Sequence, residues 1–265
     1  MTVVTGRLAL FDLDGTLVRP GSVLQRMHMD AMAAALVTAT GSAAPFEYRG
    51  GELFHHGVNL AGFTDAGTIR AALVLAGATE DEVAERMREV VDDMAERLEG
   101  AVPPKGWYGS GDLLPGARTA LEALRQAGFA LGMSTGNARR VALWKMRAAG
   151  LADLLYDGGF GDGTTEREDV TRAGVIACAP AGAAQAGVLV GDTVRDVTAA
   201  HAAGLSCLAV TTGAATAEEL RAAGADEVVA GLAGGPALES LIRLAGQSAR
   251  HRPLSEAVNQ ASGES

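Results

Sequence analysis

The sequence predicts an α/β fold: a Rossmann-like parallel sheet core with helices on both faces and an inserted helical cap domain. Three observations point there. Short apolar runs alternate with helical patterns over most of the chain. Three of those runs end abruptly in small or polar residues, at Asp12, Ser134 and Gly191. The alternation lapses once, between Val18 and about Asp112, where helical patterns follow one another. With 265 residues, 48% of them hydrophobic, the chain can bury one substantial core and carry a smaller inserted unit.

Arg7–Phe11 is a short apolar run ending in Asp12-Leu13-Asp14-Gly15-Thr16, which reads as a buried strand breaking into a turn. Residues 24–37 and 66–98 then carry helical patterns, with no apolar strand run between them. This insert leaves just after the first strand's turn and returns before the next helix, so it is expected to hang over the strand ends as a lid. Residues 115–128 form a helix framed by Pro115 and Gly128, and a strand over 130–133 runs into Ser134-Thr135-Gly136-Asn137. Helical character resumes over 138–149 and stops at Gly150. A strand over 188–190 enters Gly191-Asp192-Thr193, and the helix after it is closed by Gly204. Two more strands fall at 208–210 and 227–229. The domain reading is a core from 1–17 and 112–245, a helical cap from 18–111, and a peripheral tail over 246–265 that is rich in Ser, Gln, Arg and Glu.

Formal net charge is -10 and the pI about 5.0, with no long run of Lys or Arg. That composition disfavours a broad nucleic-acid or anionic-membrane footprint, so an anionic substrate must be met by locally gathered cations. Cys178 and Cys207 stand apart without CxxC or Cys/His spacing, so neither a zinc site nor a disulfide framework is indicated. A reducing cytoplasm fits. No segment approaches the roughly 20 apolar residues a spanning helix needs, and the N-terminal apolar stretch is too short for a signal-peptide core.

The chemistry gathers at strand ends, where ligands of open parallel sheets bind. Asp12 and Asp14, two apart in an extended turn, can point the same way and share one metal. The same Asp-x-Asp-Gly also makes ordinary turns and calcium loops, but a calcium loop would supply further oxygen ligands where Thr16, Leu17 and Val18 stand. Thr135, Gly136 and Asn137 at a helix start offer backbone N–H groups to a phosphate, or serve as a simple N-cap. Asp192 and Asp196, four residues apart on one helix side, can complete a magnesium site or act as a cap with an unrelated surface neighbour.

Taken together, these residues resemble the motif set of the haloacid dehalogenase-like superfamily, in its helical-cap phosphatase branch, with likeness to phosphoglycolate phosphatases. Phe11-Asp-Leu-Asp-Gly-Thr-Leu17 resembles motif one, Ser134-Thr-Gly-Asn137 motif two and Val190-Gly-Asp-Thr-Val-Arg-Asp196 motif four. Phe160-Gly-Asp-Gly-Thr-Thr-Glu-Arg167 resembles the stretch carrying motif three, and Gly62-Phe-Thr-Asp65 the cap loop. The likeness covers nearly the whole chain. It implies a Mg²⁺-dependent phosphatase acting on a small phosphorylated metabolite, with Asp12 as nucleophile and Asp14 as acid and then base. Magnesium would be held by Asp12, the Asp14 main-chain carbonyl, Asp192 and Asp196, and phosphate by Thr135, the Gly136 and Asn137 backbone, and Arg167. Carboxylates crowded in this way repel one another, which itself predicts a cation.

The departure from the pattern is Arg167, where the superfamily most often has lysine; arginine keeps the charge and changes the geometry. Arg172 is a second candidate, and Lys145 reads as an exposed helix-face residue. Arg19 and Thr64 are the foremost substrate-side residues of the insert, beside Arg49, His55, His56, Asp65, Trp107 and Tyr108. Met27, Met29 and Met32 read as core. Asp14 argues against dehalogenation, whose halide leaving group needs no proton, and a cap whose one lysine is Lys105 argues against phosphonate cleavage. A phosphomutase and a catalytically silent ligand-binding relative share the motifs and stand as alternatives. The sequence carries no mark of an oligomeric state.

Overall fold

The computed structural model describes residues 6–41, 46–49, 52–55, 57–101, 107, 109–179 and 186–245. In chain order the elements are β1 (Arg7–Phe11), α1 (Val23–Thr40), β2 (Phe46–Arg49), β3 (Glu52–His55), β4 (Val58–Asn59), α2 (Asp65–Leu75), α3 (Glu80–Gly100), α4 (Ala117–Gln126), β5 (Ala130–Ser134) and α5 (Arg139–Ala148). They continue with β6 (Gly158–Gly159), α6 (Arg167–Cys178), β7 (Ala186–Gly191), α7 (Val194–Ala202), β8 (Ser206–Val210), α8 (Ala217–Ala222), β9 (Glu227–Val229) and α9 (Gly235–Leu244).

The main sheet has six strands in the order β6-β5-β1-β7-β8-β9, and every pair is parallel. Side-chain alternation along each strand divides the core in two. Ala9 and Phe11 of β1, Val188 and Val190 of β7, and Leu208 and Val210 of β8 pack with Leu121, Met146 and Leu241 of α4, α5 and α9. Their neighbours Leu8, Leu10, Leu189, Cys207 and Ala209 pack on the other face with Val175, Val197 and Leu220 of α6, α7 and α8. Strands buried on both faces read as unbroken apolar runs, which is why β1, β5 and β7 stood out in the sequence. Since β1, β5 and β7 are parallel neighbours, Asp12, Thr135 and Asp192 all emerge at one end of the sheet.

The helical pattern over 66–98 is two helices; the break falls at Gly77, which sits at φ +91°, and the Thr79 capping box with Glu82 starts α3 afresh. The insert departs from its reading in not being purely helical. Strands β2, β3 and β4 form an antiparallel sheet between α1 and α2. Phe46-Glu47-Tyr48-Arg49 alternates with period two and Glu52-Leu53-Phe54-His55 follows after Gly50-Gly51, a hairpin signal too short to register as an apolar run.

Helices α1, α2 and α3 enclose their own apolar cluster, including Met32, Leu36, Ile69, Leu73, Val90, Met94 and Leu98. Met29 and Met32 are core, as read. Ala138 and Val141, beside and within α5, join the same cluster, so the insert is seated on the main body next to the second strand tip. No helix among the described residues is long and apolar enough to cross a membrane. The 246–265 tail, the Arg49 side chain, His56, Lys105 and Tyr108 lie outside the described residues.

Candidate active site

Asp12 leaves β1 with its backbone N–H donated to Val190 O of β7 at 2.9 Å, which ties the first strand tip to the third. One carboxylate oxygen each from Asp12, Asp192 and Asp196 lies within 4.8 Å of the others, and all three side chains are buried. Asp192 is held by Thr16 Oγ1 at 3.0 Å and by the Ala214 N–H at 3.3 Å. Gly15, at φ +91°, lets the turn pass directly over that carboxylate; a Cβ there would overlap it. Asp196 caps α7 in a reciprocal box with Thr193 through one oxygen, leaving the other to face the cluster. Asp196 is therefore a buried partner in the α7 capping box and a member of the acidic cluster, not an unrelated surface residue.

Arg167, at the start of α6 and 4% exposed, threads this group. Its guanidinium donates to Asp12 Oδ1 at 2.6 Å, to Asp196 Oδ1 at 2.7 Å and to the Ser134 carbonyl at 2.8 Å. All three contacts are made by Nη2, and Nε adds a second bond to Asp196 Oδ1 at 3.0 Å, so the guanidinium joins two carboxylates and a strand-end carbonyl. Arg172 is instead exposed and paired with Asp169. One arginine does not balance three buried acids. Burial pushes Asp12 up to about 7; Arg167 opposes this and Asp196 adds to it. Burial, then Asp12 and Asp196, push Asp192 well above the ordinary carboxylate range. A cluster that resists ionising without a further positive charge fits an oxygen-seeking divalent cation.

The Asp14 carboxylate is not in that cluster. Its Oδ2 accepts from Lys145 Nζ at 2.6 Å and from Asn137 Nδ2 at 2.9 Å, while Oδ1 is buried without a partner. The sequence reading of Lys145 as an exposed helix-face residue is corrected here: it is fully buried on the inward face of α5, beside Val141, Ala142 and Met146. Burial alone would raise Asp14, but the Lys145 ammonium, His28 and the two hydrogen bonds outweigh it and hold the carboxyl below its ordinary value.

The second strand tip is more occupied than its motif implies. Thr135 is fully buried and its Oγ1 accepts from the Asn137 N–H at 3.3 Å. The next N–H groups, of Ala138 and Arg139, are taken by Asp65 Oδ2 at 2.6 Å and Asp162 Oδ2 at 3.3 Å. Gly136 and Asn137 line the cavity; Thr135 does not.

That cavity, of about 110 Å³, lies between the strand ends and the insert. Its floor is Asp12, Asp14, Arg167 and Asp192, and its roof includes Gln25, His28, Met29, Phe63, Asp65 and Thr68. Of the foremost insert candidates, neither is on the wall. Thr64 is the N-cap of α2, accepting from the Gly67 N–H, and Arg19 is exposed. His55 is buried in β3, and Trp107 donates to Asp112, both away from the lining. Asp65 is on it, but His28, Lys145 and Thr16 were missed by the motif reading.

The cap loop is latched to the main body through backbone. Asp65 N–H donates to Gly136 O at 2.7 Å, Ala66 N–H to Gly161 O at 2.9 Å, and the Arg195 guanidinium lies 4.3 Å from the Phe63 ring centre. A Cβ at Gly136 would overlap the Phe63 carbonyl. Gly136→Ala is therefore expected to push the loop outward, at about 1 to 3 kcal/mol. A lower thermal midpoint together with reduced turnover checks it; unchanged values for both would show that the latch is pliable.

Comparison with known proteins agrees with this geometry. A family model described as haloacid dehalogenase-like hydrolase matches residues 7–204. A plasmid phosphoglycolate phosphatase of Cupriavidus necator is 36% identical over 137 residues, 51% of this chain and 59% of that protein. A phosphoserine phosphatase of Mycobacterium tuberculosis is 34% identical over 137 residues, 52% of this chain and 25% of that protein. The chain thus spans under two thirds of the length of either relative. Among solved structures, CbbY of Rhodobacter sphaeroides in complex with phosphate superposes with a TM-score of 0.57 at 17% identity, covering 88% of this chain and 99% of that one. A β-phosphoglucomutase of Clostridium difficile gives 0.55 at 15% identity, covering 85% and 91%. These two likenesses concern the fold.

Proposed function

Because the chain belongs to the haloacid dehalogenase-like hydrolase family, we propose that it is a magnesium-dependent phosphatase that hydrolyses a small phosphate monoester by way of an aspartyl-phosphate on Asp12. One observation carries the reading: Asp12 stands at the floor of a cavity between the strand ends and the insert, within 4.8 Å of Asp192 and Asp196. The names of both sequence relatives support a phosphorylated metabolite as substrate.

Asp12, Asp192, Asp196 and the Asp14 main-chain carbonyl would hold magnesium, which when bound supplies positive charge against the phosphoryl oxygens. Arg167 fixes the Asp12 carboxylate for in-line attack. An Asp12 oxygen bonds to phosphorus as the ester P–O bond breaks, and Asp14, ionised in the free site beside the Lys145 ammonium, relays a proton from that ammonium to the leaving oxygen. Water then attacks the aspartyl-phosphate and gives a proton to Asp14, releasing phosphate and restoring Asp12. Of the two Asp14 oxygens, Oδ1 has no other partner, so it is the one positioned for both transfers. A phosphomutase shares the first displacement but returns the phosphoryl group to a second hydroxyl; the fold likeness to a β-phosphoglucomutase keeps that reading open to test.

Purified protein is expected to release phosphate from an aryl phosphate with magnesium and to stop on chelation. Activity that survives chelation removes the reading, and label transfer between substrate positions without free phosphate favours the mutase. Magnesium must displace a proton from Asp12, pushed up to about 7, so its affinity is expected to rise with pH through that value. Calorimetry in two buffers of different ionisation enthalpy should show proton release; none at pH 6 would contradict the assigned cluster.

A further inference from the structure

His28 lies one turn after Leu24 on the buried stripe of α1 and is 1% exposed, yet it faces the cavity. Neither ring nitrogen has a hydrogen-bond partner. Nε2 is 3.2 Å from Asp65 Oδ2, close enough for attraction but misaligned for a hydrogen bond, and that oxygen is already engaged by the Ala138 N–H at 2.6 Å. An unpaired buried polar group costs about 1 to 3 kcal/mol. A site that retains one is matched to a partner arriving with the ligand.

The chemistry of the surroundings narrows that partner. An imidazole presents two ring nitrogens, and whether one or both carry hydrogen it can bond a hydroxyl, which both donates and accepts. Among the described roof residues, Gln25 and Thr68 add uncharged polar groups, Asp65 adds a negative charge, and none is Lys or Arg. Asp14 is near enough for its charge to act on His28 as well. A carboxylate or second phosphate placed against this roof would meet the Asp65 carboxylate and no roof cation, since Lys145 is committed to Asp14 and Arg167 to Asp12 and Asp196. At about 110 Å³ the cavity is also smaller than one that holds benzene, at roughly 150 Å³.

We propose that His28 is the specificity-determining residue of a leaving-group subsite for a small, uncharged, hydroxyl-bearing group, so that short polyol monophosphates are preferred over phosphates bearing a second anion. The inference rests on the phosphatase reading. The test measures kcat/KM of the full chain with magnesium on nitrophenyl phosphate, glycerol phosphate and phosphoglycolate. Glycerol phosphate is expected to exceed phosphoglycolate by about tenfold or more. His28→Leu should collapse that ratio toward one, and His28→Gln, which keeps a donor and an acceptor, should restore part of it. Equal or better use of phosphoglycolate, or a ratio that His28→Leu leaves unmoved, overturns the subsite while nitrophenyl phosphate turnover preserves the phosphatase reading. Absence of turnover on all three substrates overturns both.

Discussion

Asp12→Asn is expected to lower turnover by about 10⁴-fold or more, since it removes the proposed nucleophile rather than a group that assists it. The substitution is close to isosteric, and its amide oxygen can still accept from Arg167, which also keeps its bonds to Asp196 and the Ser134 carbonyl. The fold should therefore survive. The metal-free variant should even gain stability at alkaline pH. Burial, opposed by Arg167 and reinforced by Asp196, pushes Asp12 up to about 7 from an ordinary 3.8, so ionising it in the folded protein is unfavourable. A folded value above the unfolded one means that stability is lost as pH rises from about 4 through 7. Asp12→Asn is spared that loss. Thermal melts without metal should coincide at about pH 4 and separate at pH 8 in favour of the variant, and magnesium should reverse the order, because wild type binds it more tightly. A variant that keeps even a hundredth of wild-type turnover would place the nucleophile elsewhere.

How much of this was legible in the sequence depends on what each residue packs against. Strands β1, β5 and β7 were readable because burial on both faces leaves apolar runs, and the residues at their tips then marked one end of the sheet. Arg167 was found through its motif, and the structure supplies its partners. Lys145 was misread because a charged residue on a helix is ordinarily solvated. Two features nonetheless pointed inward: it falls four residues after Val141 on the apolar stripe of α5, and twenty of the chain's twenty-two basic residues are arginine. His28 repeats the lesson, lying four residues before Met32 on the stripe of α1. Asn137 was assigned through its backbone, but its side chain is what engages Asp14. The β2–β4 hairpins were hidden because four-residue strands alternating with charged residues give no run to detect.

Lys145→Met should produce the largest loss of stability of any single change at the site. Methionine fills similar volume, so packing is nearly conserved and the lost ion pair dominates. Breaking a buried pair by removing one partner costs about 3 to 5 kcal/mol. Asp14 retains 18% side-chain exposure to the cavity and can take up a proton, which places the expected loss nearer the lower figure. The pH dependence identifies the cause. In wild type, Asp14 is held below 3.8, so its contribution is fully present above that value and is lost as pH falls through the lower folded one. The gap between wild type and Lys145→Met should therefore be widest at neutral pH and narrow toward about pH 3. Adding Asp14→Asn removes the stranded carboxylate, and the double variant should recover much of the midpoint. Activity should not follow it. Lys145→Met is expected to reduce kcat on the order of 10²-fold through loss of an oriented proton carrier, and the double variant should be as slow or slower. Recovery of both stability and turnover would mean that the pair serves the fold alone. Recovery of stability without turnover ties the buried lysine to the proton-carrying role proposed for Asp14.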